Sequence, residues 1–146
     1  PIIVKNADEE IASLSDFVAN ETVIIDQRYA SFVEDSNYNI DGSSIGLDIY
    51  KPNYLKYTSQ TQFPALAVFS EIYYKDGWNV YIDGKKSDYF RANYVLRAME
   101  VPAGNHTIEF KFEPKVYKIG EGISLASSII LILLLVFVSF KELKQE

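Results

Sequence analysis

The sequence predicts a mainly β protein, an antiparallel β-sandwich of jelly-roll-like type with a short N-terminal amphipathic helix and a C-terminal transmembrane helix. Three observations predict it. Aromatic residues make up 14% of the chain, and such side chains favour pleated, half-buried surfaces. Short runs of alternating apolar and polar residues are separated by turn signals at regular intervals. A long uncharged apolar stretch follows these runs.

Composition excludes several functional classes. The net charge of -6 opposes binding to nucleic acid, because such binding needs a surface that neutralises phosphates. The sequence has no Cys, which excludes disulfides, thiolate metal sites and thiol nucleophiles. His106 is the single histidine, so a multi-histidine metal site is impossible. We therefore expect no metal, no cofactor and no nucleic-acid partner.

The first element is a predicted helix segment over residues 1–20. Its apolar residues recur at helical spacing: Ile11, Leu14, Phe17 and Val18. Asn6 is a suitable N-cap, and Glu9 follows three residues later as in a capping box. The chain begins with Pro1 and no cleavable leader follows, so we expect a piece of a longer polypeptide.

Residues 21–117 are predicted to form the β-domain. The runs TVIID, SIGLDIY, YLKYTSQ and LAVFSEIYY read as strands. In WNVYIDGKK, Trp78, Val80 and Ile82 alternate with polar residues before Asp83-Gly84, which predicts a hairpin. A second hairpin is predicted to join VLRAMEV to HTIEFKF through a turn at residues 102–105.

Residues 118–141 are predicted to form a transmembrane helix, followed by a tail over 142–146. No charged residue occurs from Gly122 to Phe140, and about 19 helical residues span roughly 28 Å, close to the thickness of a bilayer's hydrocarbon core. A buried helix of a soluble core would keep a polar stripe, and only serines interrupt here. The positive-inside rule does not decide the orientation, because lysines flank both ends.

Several motifs in order resemble the C-terminal end of bacterial membrane proteins of the YfhO family. They are an aromatic pair before Gly77-Trp78, a Tyr-Ile-Asp-Gly-Lys turn, an Arg-Ala-Asn-Tyr segment, a Val-Pro-Ala-Gly-x-His segment and the apolar helix, from about Lys51 onward. The resemblance implies a polytopic protein whose upstream membrane region looks like lipid-linked-sugar glycosyltransferases of envelope glycosylation. It also implies that the β-domain lies on the extracytoplasmic side of the bacterial inner membrane and that the tail is cytoplasmic.

Five residues are candidate ligand contacts. Trp78 and Tyr81 offer aromatic faces on which a sugar ring stacks, although Trp78 shares the strand parity of core residues. Arg91, Asn93 and Arg97 offer groups for a phosphate or carboxylate. The structural alternative is that the arginines pair with neighbouring acids, Asp83, Asp88 or Glu100, or tie down a loop.

His106 follows a tight turn with no nucleophile signalled nearby, so we expect it to stabilise that turn, and we predict no catalytic residue. The leading hypothesis is a noncatalytic accessory domain, while the enzyme status of the full-length protein stays open. The expected partners of this domain and its helix are the lipid bilayer, the upstream membrane region of the same polypeptide, and an envelope glycan or lipid-linked sugar. The alternatives are a membrane-anchored carbohydrate-binding sandwich and, least favoured, a hydrolase.

Overall fold

The computed structural model describes residues 1–35 and 37–143, and its two compact units run from Pro1 to Phe112 and from Glu113 onward. The strands are β1 (Ile2–Val4), β2 (Ile24–Asp26), β3 (Ser44–Lys51), β4 (Tyr54–Thr61), β5 (Ala65–Ile72), β6 (Trp78–Ile82), β7 (Lys85–Ser87), β8 (Phe90–Ala92), β9 (Leu96–Val101) and β10 (Gly104–Phe112). The helices are α1 (Ala7–Ser13) and α2 (Lys115–Leu143), and a 3₁₀ helix covers Gln27–Phe32.

Two antiparallel sheets make up most of the first unit. One has the strand order β3-β4-β10-β6-β7 and the other β5-β9-β8. Both sheets contribute side chains to a shared core, as expected when two sheets pack face to face: Leu55, Tyr57, Phe69, Val80, Met99, Val101, Ile108 and Phe110. The predicted mainly β, antiparallel sandwich is therefore confirmed.

The hairpin predicted from WNVYIDGKK forms between β6 and β7. Val80 lies opposite Ser87, and Ile82 lies opposite Lys85. Asp83 and Gly84 have φ values of 50° and 78°, the left-handed conformation that a two-residue turn needs to match the twist of its strands. Val80 is fully buried, in agreement with the alternation that predicted the inward face.

The second predicted hairpin is wrong. β9 pairs with β5 and β8, whereas β10 pairs with β4 and β6, so the link at residues 102–103 crosses from one sheet to the other. Both edges of β10 and both edges of β9 are occupied by other strands, which leaves neither of them an edge for the other. The chain bends at Ala103, and β10 already begins at Gly104, so the strands on either side of this short link belong to different layers.

The N-terminal segment folds as a small β-α-β unit. β1 and β2 pair in parallel, with Ile2 opposite Ile24, and α1 forms the crossover between them. The sequence predicted neither β1 nor a parallel pair. Ile24 and Ile25 are fully buried, and Ile25 packs with Phe90 in a second apolar cluster.

Helix α1 confirms the predicted N-terminal helix and its cap, but not its apolar face. The Asn6 side chain accepts hydrogen bonds from the backbone N–H groups of Asp8 and Glu9, at 3.1 and 3.0 Å. The helix ends at Ser13, and Ile11 is 47% exposed, so the expected stripe from Ile11 to Val18 is not buried. The buried residue of this helix is Glu10, which forms an ion pair with Arg91.

Helix α2 makes up most of the second unit, and its charged residues lie towards its two ends. Ile119–Phe137 is long and apolar enough to cross a membrane, and none of it is buried. The hydroxyls of Ser127 and Ser128 donate to the carbonyls of Ile123 and Ser124, so these polar groups are satisfied within the helix. Most of the predicted tail, residues 144–146, lies outside the described residues.

Candidate functional site

The structure distributes the five predicted contact residues over three places in the sandwich. Trp78 and Arg97 lie together, Arg91 and Asn93 hold the N-terminal unit, and Tyr81 lies on the outer face of the larger sheet. The residues therefore do not converge on one site, and each place has its own chemistry.

The Arg97 side chain is buried between aromatic rings inside the sandwich. The residue is 3% exposed, and its guanidinium carbon lies 4.3 Å from the centroid of Trp78 and 5.3 Å from that of Phe110. Its Nε donates to the carbonyl of Ile72 at 2.9 Å, while one terminal nitrogen is buried with no hydrogen-bond partner among the described atoms. Burial lowers the pKa of Arg97, because the charged form loses its hydration.

Arg91 forms a buried ion-pair cluster with acids from the N-terminal unit. Its terminal nitrogen lies 2.6 Å from a Glu10 oxygen and 3.6 Å from an Asp26 oxygen, and both carboxylates are at most 1% exposed. The other Glu10 oxygen accepts from the backbone N–H of Tyr94 at 2.8 Å. The salt bridges of Arg91 thus go to Glu10 and Asp26, and not to Asp83, Asp88 or Glu100, the acids considered in the structural alternative.

Asp26 is held from two sides. Arg28 approaches it at 2.7 Å, and the hydrogen bonds from Arg28 keep the pKa of the Asp26 carboxyl below its usual value. This arrangement gives a buried acid two cationic neighbours, Arg28 and Arg91. The cluster explains why α1 buries Glu10 in place of its apolar residues.

Asn93 fastens the turn between β8 and β9 to β2. Its Oδ1 accepts from the backbone N–H of Ile24 at 2.8 Å, and its own N–H donates to the Ile24 carbonyl at 2.8 Å. Asn93 and Tyr94 have φ values of 46° and 68°, a conformation that asparagine tolerates better than most residues. The sequence does not predict the β8–β9 hairpin, because its turn lacks glycine.

Tyr81 belongs to an aromatic and ionic group on the outer face of the five-stranded sheet. The Lys111 ammonium lies 5.0 Å from the Tyr81 ring centroid and 5.9 Å from that of Tyr54. The Tyr54 hydroxyl donates to Glu109 at 2.6 Å, and Lys111 lies 3.2 Å from the same carboxylate. The hydrogen bond to Glu109 raises the pKa of Tyr54, because it favours the protonated phenol.

Tyr54 and Lys111 were missed as members of this group. The signal that could have found them is register, since Lys111 lies opposite Tyr54 on β4 and opposite Asn79 on β6. The sequence shows which residues of a strand share a face, but it does not show which strands are neighbours.

His106 stabilises the end of the sandwich where β10 begins. Its Nδ1 lies 2.6 Å from a carboxylate oxygen of Asp83, and its Nε2 lies 3.1 Å from the carbonyl of Ala103. Both partners can only accept, so both contacts are hydrogen bonds when the ring is doubly protonated. These contacts raise the pKa of His106, the bond to Asp83 being the main cause. The predicted turn-stabilising role agrees with this geometry.

The family model described as Bacterial membrane protein YfhO matches residues 40–124, more than half of the chain. The chain belongs to the YfhO family. The matched range covers β3 through β10 and continues into α2, so it includes both the sandwich and the start of the apolar helix. No curated protein and no solved structure matches the chain.

The range that the YfhO family model matches includes some of the residues of these contacts and leaves others out. All five predicted contact residues lie within residues 40–124, whereas Glu10 and Asp26 precede that range. Within residues 1–35 and 37–143, no group of three or more His, Asp or Glu side chains is placed to hold a metal ion. A recess of about 420 Å³ in the first unit is lined by Glu34, Asp35, Asn37, Tyr38, Asn39, Phe63, Pro64 and Glu100.

Proposed function

We propose that residues 1–112 form a noncatalytic, extracytoplasmic accessory domain of a polytopic bacterial membrane protein. The upstream membrane region would resemble lipid-linked-sugar glycosyltransferases of envelope glycosylation, and α2 would return the chain to the cytoplasm. Any sugar transfer by the full-length protein would be performed by residues upstream of Pro1.

The family match carries this proposal. A single match extends over the sandwich and into the apolar helix, in a family described as membrane proteins. The uses of the candidate polar residues also support it. Arg91 and Asn93 hold the N-terminal unit against the β8–β9 turn, and Arg97 is enclosed by aromatic rings, so these groups are committed to internal contacts.

Sidedness can be tested directly, because the chain has no Cys. A cysteine introduced at the exposed position Ala103 should react with a membrane-impermeant maleimide in intact spheroplasts. A cysteine introduced by Gln145→Cys should react only after lysis. The opposite labelling pattern would place the sandwich in the cytoplasm and contradict the proposal.

The noncatalytic role requires a test in the full-length protein. Substitutions in the sandwich that preserve its fold should leave glycosylation of the envelope polymer intact when they restore a deletion strain. Tyr81→Ala and Asp88→Asn are suitable, because neither side chain belongs to the buried core. If one such variant lost all transfer at normal stability and membrane insertion, the sandwich would contain catalytic residues.

A second candidate function, carbohydrate binding, is favoured by the outer face of the larger sheet. Tyr54 and Tyr81 flank Lys111 there, and Glu109 adds an acceptor, so rings and polar groups occur side by side. Titration with envelope saccharides should then give saturable binding that Tyr81→Ala weakens and Phe63→Ala does not. Lack of saturable binding by any envelope saccharide would remove this candidate.

A further inference from the structure

Three connections meet at the end of the sandwich where β10 finishes. The backbone N–H of Phe112 donates to the carbonyl of Asn53 in the β3–β4 turn, at 2.9 Å. Phe112 also lies opposite Trp78, where the β5–β6 loop enters β6, and their ring centroids are 5.4 Å apart. The β3–β4 turn, the β5–β6 loop and the last residue of β10 therefore share one end of the molecule.

This end exposes large apolar and aromatic side chains from each of its three parts. Ile72 is 71% exposed, Tyr50 66%, Tyr74 54% and Phe112 38%, and Trp78 is half-buried beside them. We call Tyr50, Ile72, Tyr74, Trp78 and Phe112 the aromatic rim. Tyrosine and tryptophan are enriched where protein meets the headgroup layer of a bilayer, because their rings are apolar and their tips are polar.

Charges around the aromatic rim nearly balance. Lys51, at the end of β3, and Lys75, in the β5–β6 loop, are exposed there, while Glu71 lies near the end of β5 and Asp76 in the same loop. A surface that bound anionic lipid through charge would carry an excess of lysine or arginine. The contact that this end can make is therefore mainly apolar and aromatic.

The chain itself limits the distance from the rim to a membrane. Only Glu113 and Pro114 separate Phe112 from Lys115, the first residue of α2, and three peptide steps cover at most about 11 Å. Helical rise from Lys115 to Ile119, where the apolar span begins, adds about 6 Å. The headgroup layer is itself about 5–8 Å thick on each side of the hydrocarbon core. Covalent geometry alone keeps the end of β10 near the membrane surface.

We propose that the aromatic rim rests in the headgroup layer of the bilayer that α2 spans. The rim is a second membrane contact, distinct from the helix, and it rests on the proposed function only in requiring that α2 be inserted. Because it depends on aromatic side chains, it needs no anionic lipid.

Trp78 is the one tryptophan of the chain, which makes it an intrinsic reporter of this contact. The full chain is reconstituted into phosphatidylcholine nanodiscs, with or without lipid bearing a nitroxide on its headgroup. Trp78 fluorescence should fall strongly in the nitroxide discs. The matched reporter is the double variant Trp78→Phe with Phe63→Trp, whose tryptophan fluorescence should fall little in the same discs. Phe63 is exposed beyond the far end of β4, and eight strand residues place it about 25 Å from the rim.

Two measurements separate failure of the anchor from failure of the rim. Co-elution with the discs reports insertion of α2, and a chain that did not co-elute would contradict the proposed membrane anchorage. Co-elution with equal quenching of the two reporters, or with no quenching of Trp78, would overturn the rim proposal alone. Circular dichroism of both proteins establishes that they are folded.

Side-chain variants show which groups make the contact. Tyr50→Ser together with Tyr74→Ser should reduce the quenching of Trp78, since both side chains are exposed and their removal should spare the core. Phe63→Ser, which removes an exposed ring at the other end, should change nothing. Quenching that disappeared at high salt would contradict the apolar character of the contact.

Discussion

Arg97 is a residue type that often binds anions, yet here its side chain is buried inside the sandwich. Arginine is attractive as an anion ligand because it is always charged and has five donors. Here aromatic rings cover its guanidinium, and one carbonyl accepts from its Nε. No carboxylate of the described residues is in salt-bridge contact with this desolvated charge, so Arg97 contributes to stability largely through packing.

The effect of an Arg97 substitution on the free energy of unfolding should therefore depend more on the volume of the new side chain than on its charge. Arg97→Ala leaves a cavity beneath Trp78 and should lower the free energy of unfolding by about 2–5 kcal/mol. Arg97→Met fills most of that space without a buried charge and should leave stability unchanged or raise it. Urea unfolding followed by circular dichroism measures both. Equal destabilisation by the two substitutions would show that the charge itself is required.

His106 gives a pH dependence whose sign is fixed by its contacts. Its pKa in the folded protein is raised above 6.5, so its stabilising contribution is complete below pH 6.5. This contribution is lost as the pH rises through the folded pKa. The melting temperature should therefore fall as the pH rises above 6.5 and through the folded pKa of His106. His106→Asn should remove this dependence, and a variant with an unchanged profile would assign the effect to another group.

Asp83 acts in the opposite range. Its pKa is lowered below 3.8, chiefly by the hydrogen bond with His106, so its contribution is present above that pH and is lost as the pH falls further. Asp83 also accepts from the backbone N–H of Thr107 at 2.9 Å. The two residues together therefore favour a stability maximum at mildly acidic pH.

Residue-level prediction from the sequence worked where the information was local. Alternation placed Val80, Ile108 and Phe110 in the core, and all three are fully buried. The partners of Arg91 could not be found this way, because Glu10 precedes it by 81 positions and nothing near either residue marks the other. The five contact residues stay predictions, although the guanidinium groups of Arg91 and Arg97 and the amide of Asn93 are engaged in contacts inside the domain.

Among the elements, the N-terminal β-α-β unit depends most on one long-range contact. α1 is only seven residues long, too short to be stable alone, and its buried residue is an acid. Arg91 and the N–H of Tyr94 satisfy that acid. The helix is therefore held by polar contacts with the β8–β9 hairpin.

Arg91→Ala should accordingly release this helix. Glu10 and Asp26 would keep buried charge with one cation fewer, a change that typically costs about 3–5 kcal/mol. Amide hydrogen exchange should show faster exchange in residues 7–13 than in β10. The double variant Arg91→Met with Glu10→Gln should recover part of the loss. Uniform exchange across the protein would mean that the helix and the sandwich unfold together.

The β9–β10 link shows why elements were easier to predict than their pairing. Strand content followed from local alternation, and the predicted strands from Ser44 onward are present. The sequence predicts a turn at Pro102, but a predicted turn between two strands does not fix whether they pair or cross to another sheet. That choice depends on β4 and β6, which occupy both sides of β10.

At the scale of the whole molecule, a folded β unit is joined to one long apolar helix. A chain that ends at Gly120 should remain monomeric in buffer without detergent and ignore lipid vesicles. The chain through Glu146 should require detergent or partition into vesicles, because burial of the Ile119–Phe137 side chains in lipid is strongly favourable. Flotation with liposomes measures the difference. Identical behaviour of the two chains would contradict a membrane anchor.

The position of β10 in its sheet has a consequence for synthesis. It is the last strand in the sequence, yet it lies between β4 and β6. A ribosome therefore delivers the middle of this sheet after both neighbours, and the apolar helix follows within a few residues. Until Phe112 emerges, the inward edges of β4 and β6 have no neighbour to pair with. Completion of the sheet and entry of the helix into the bilayer thus become nearly simultaneous steps in biogenesis.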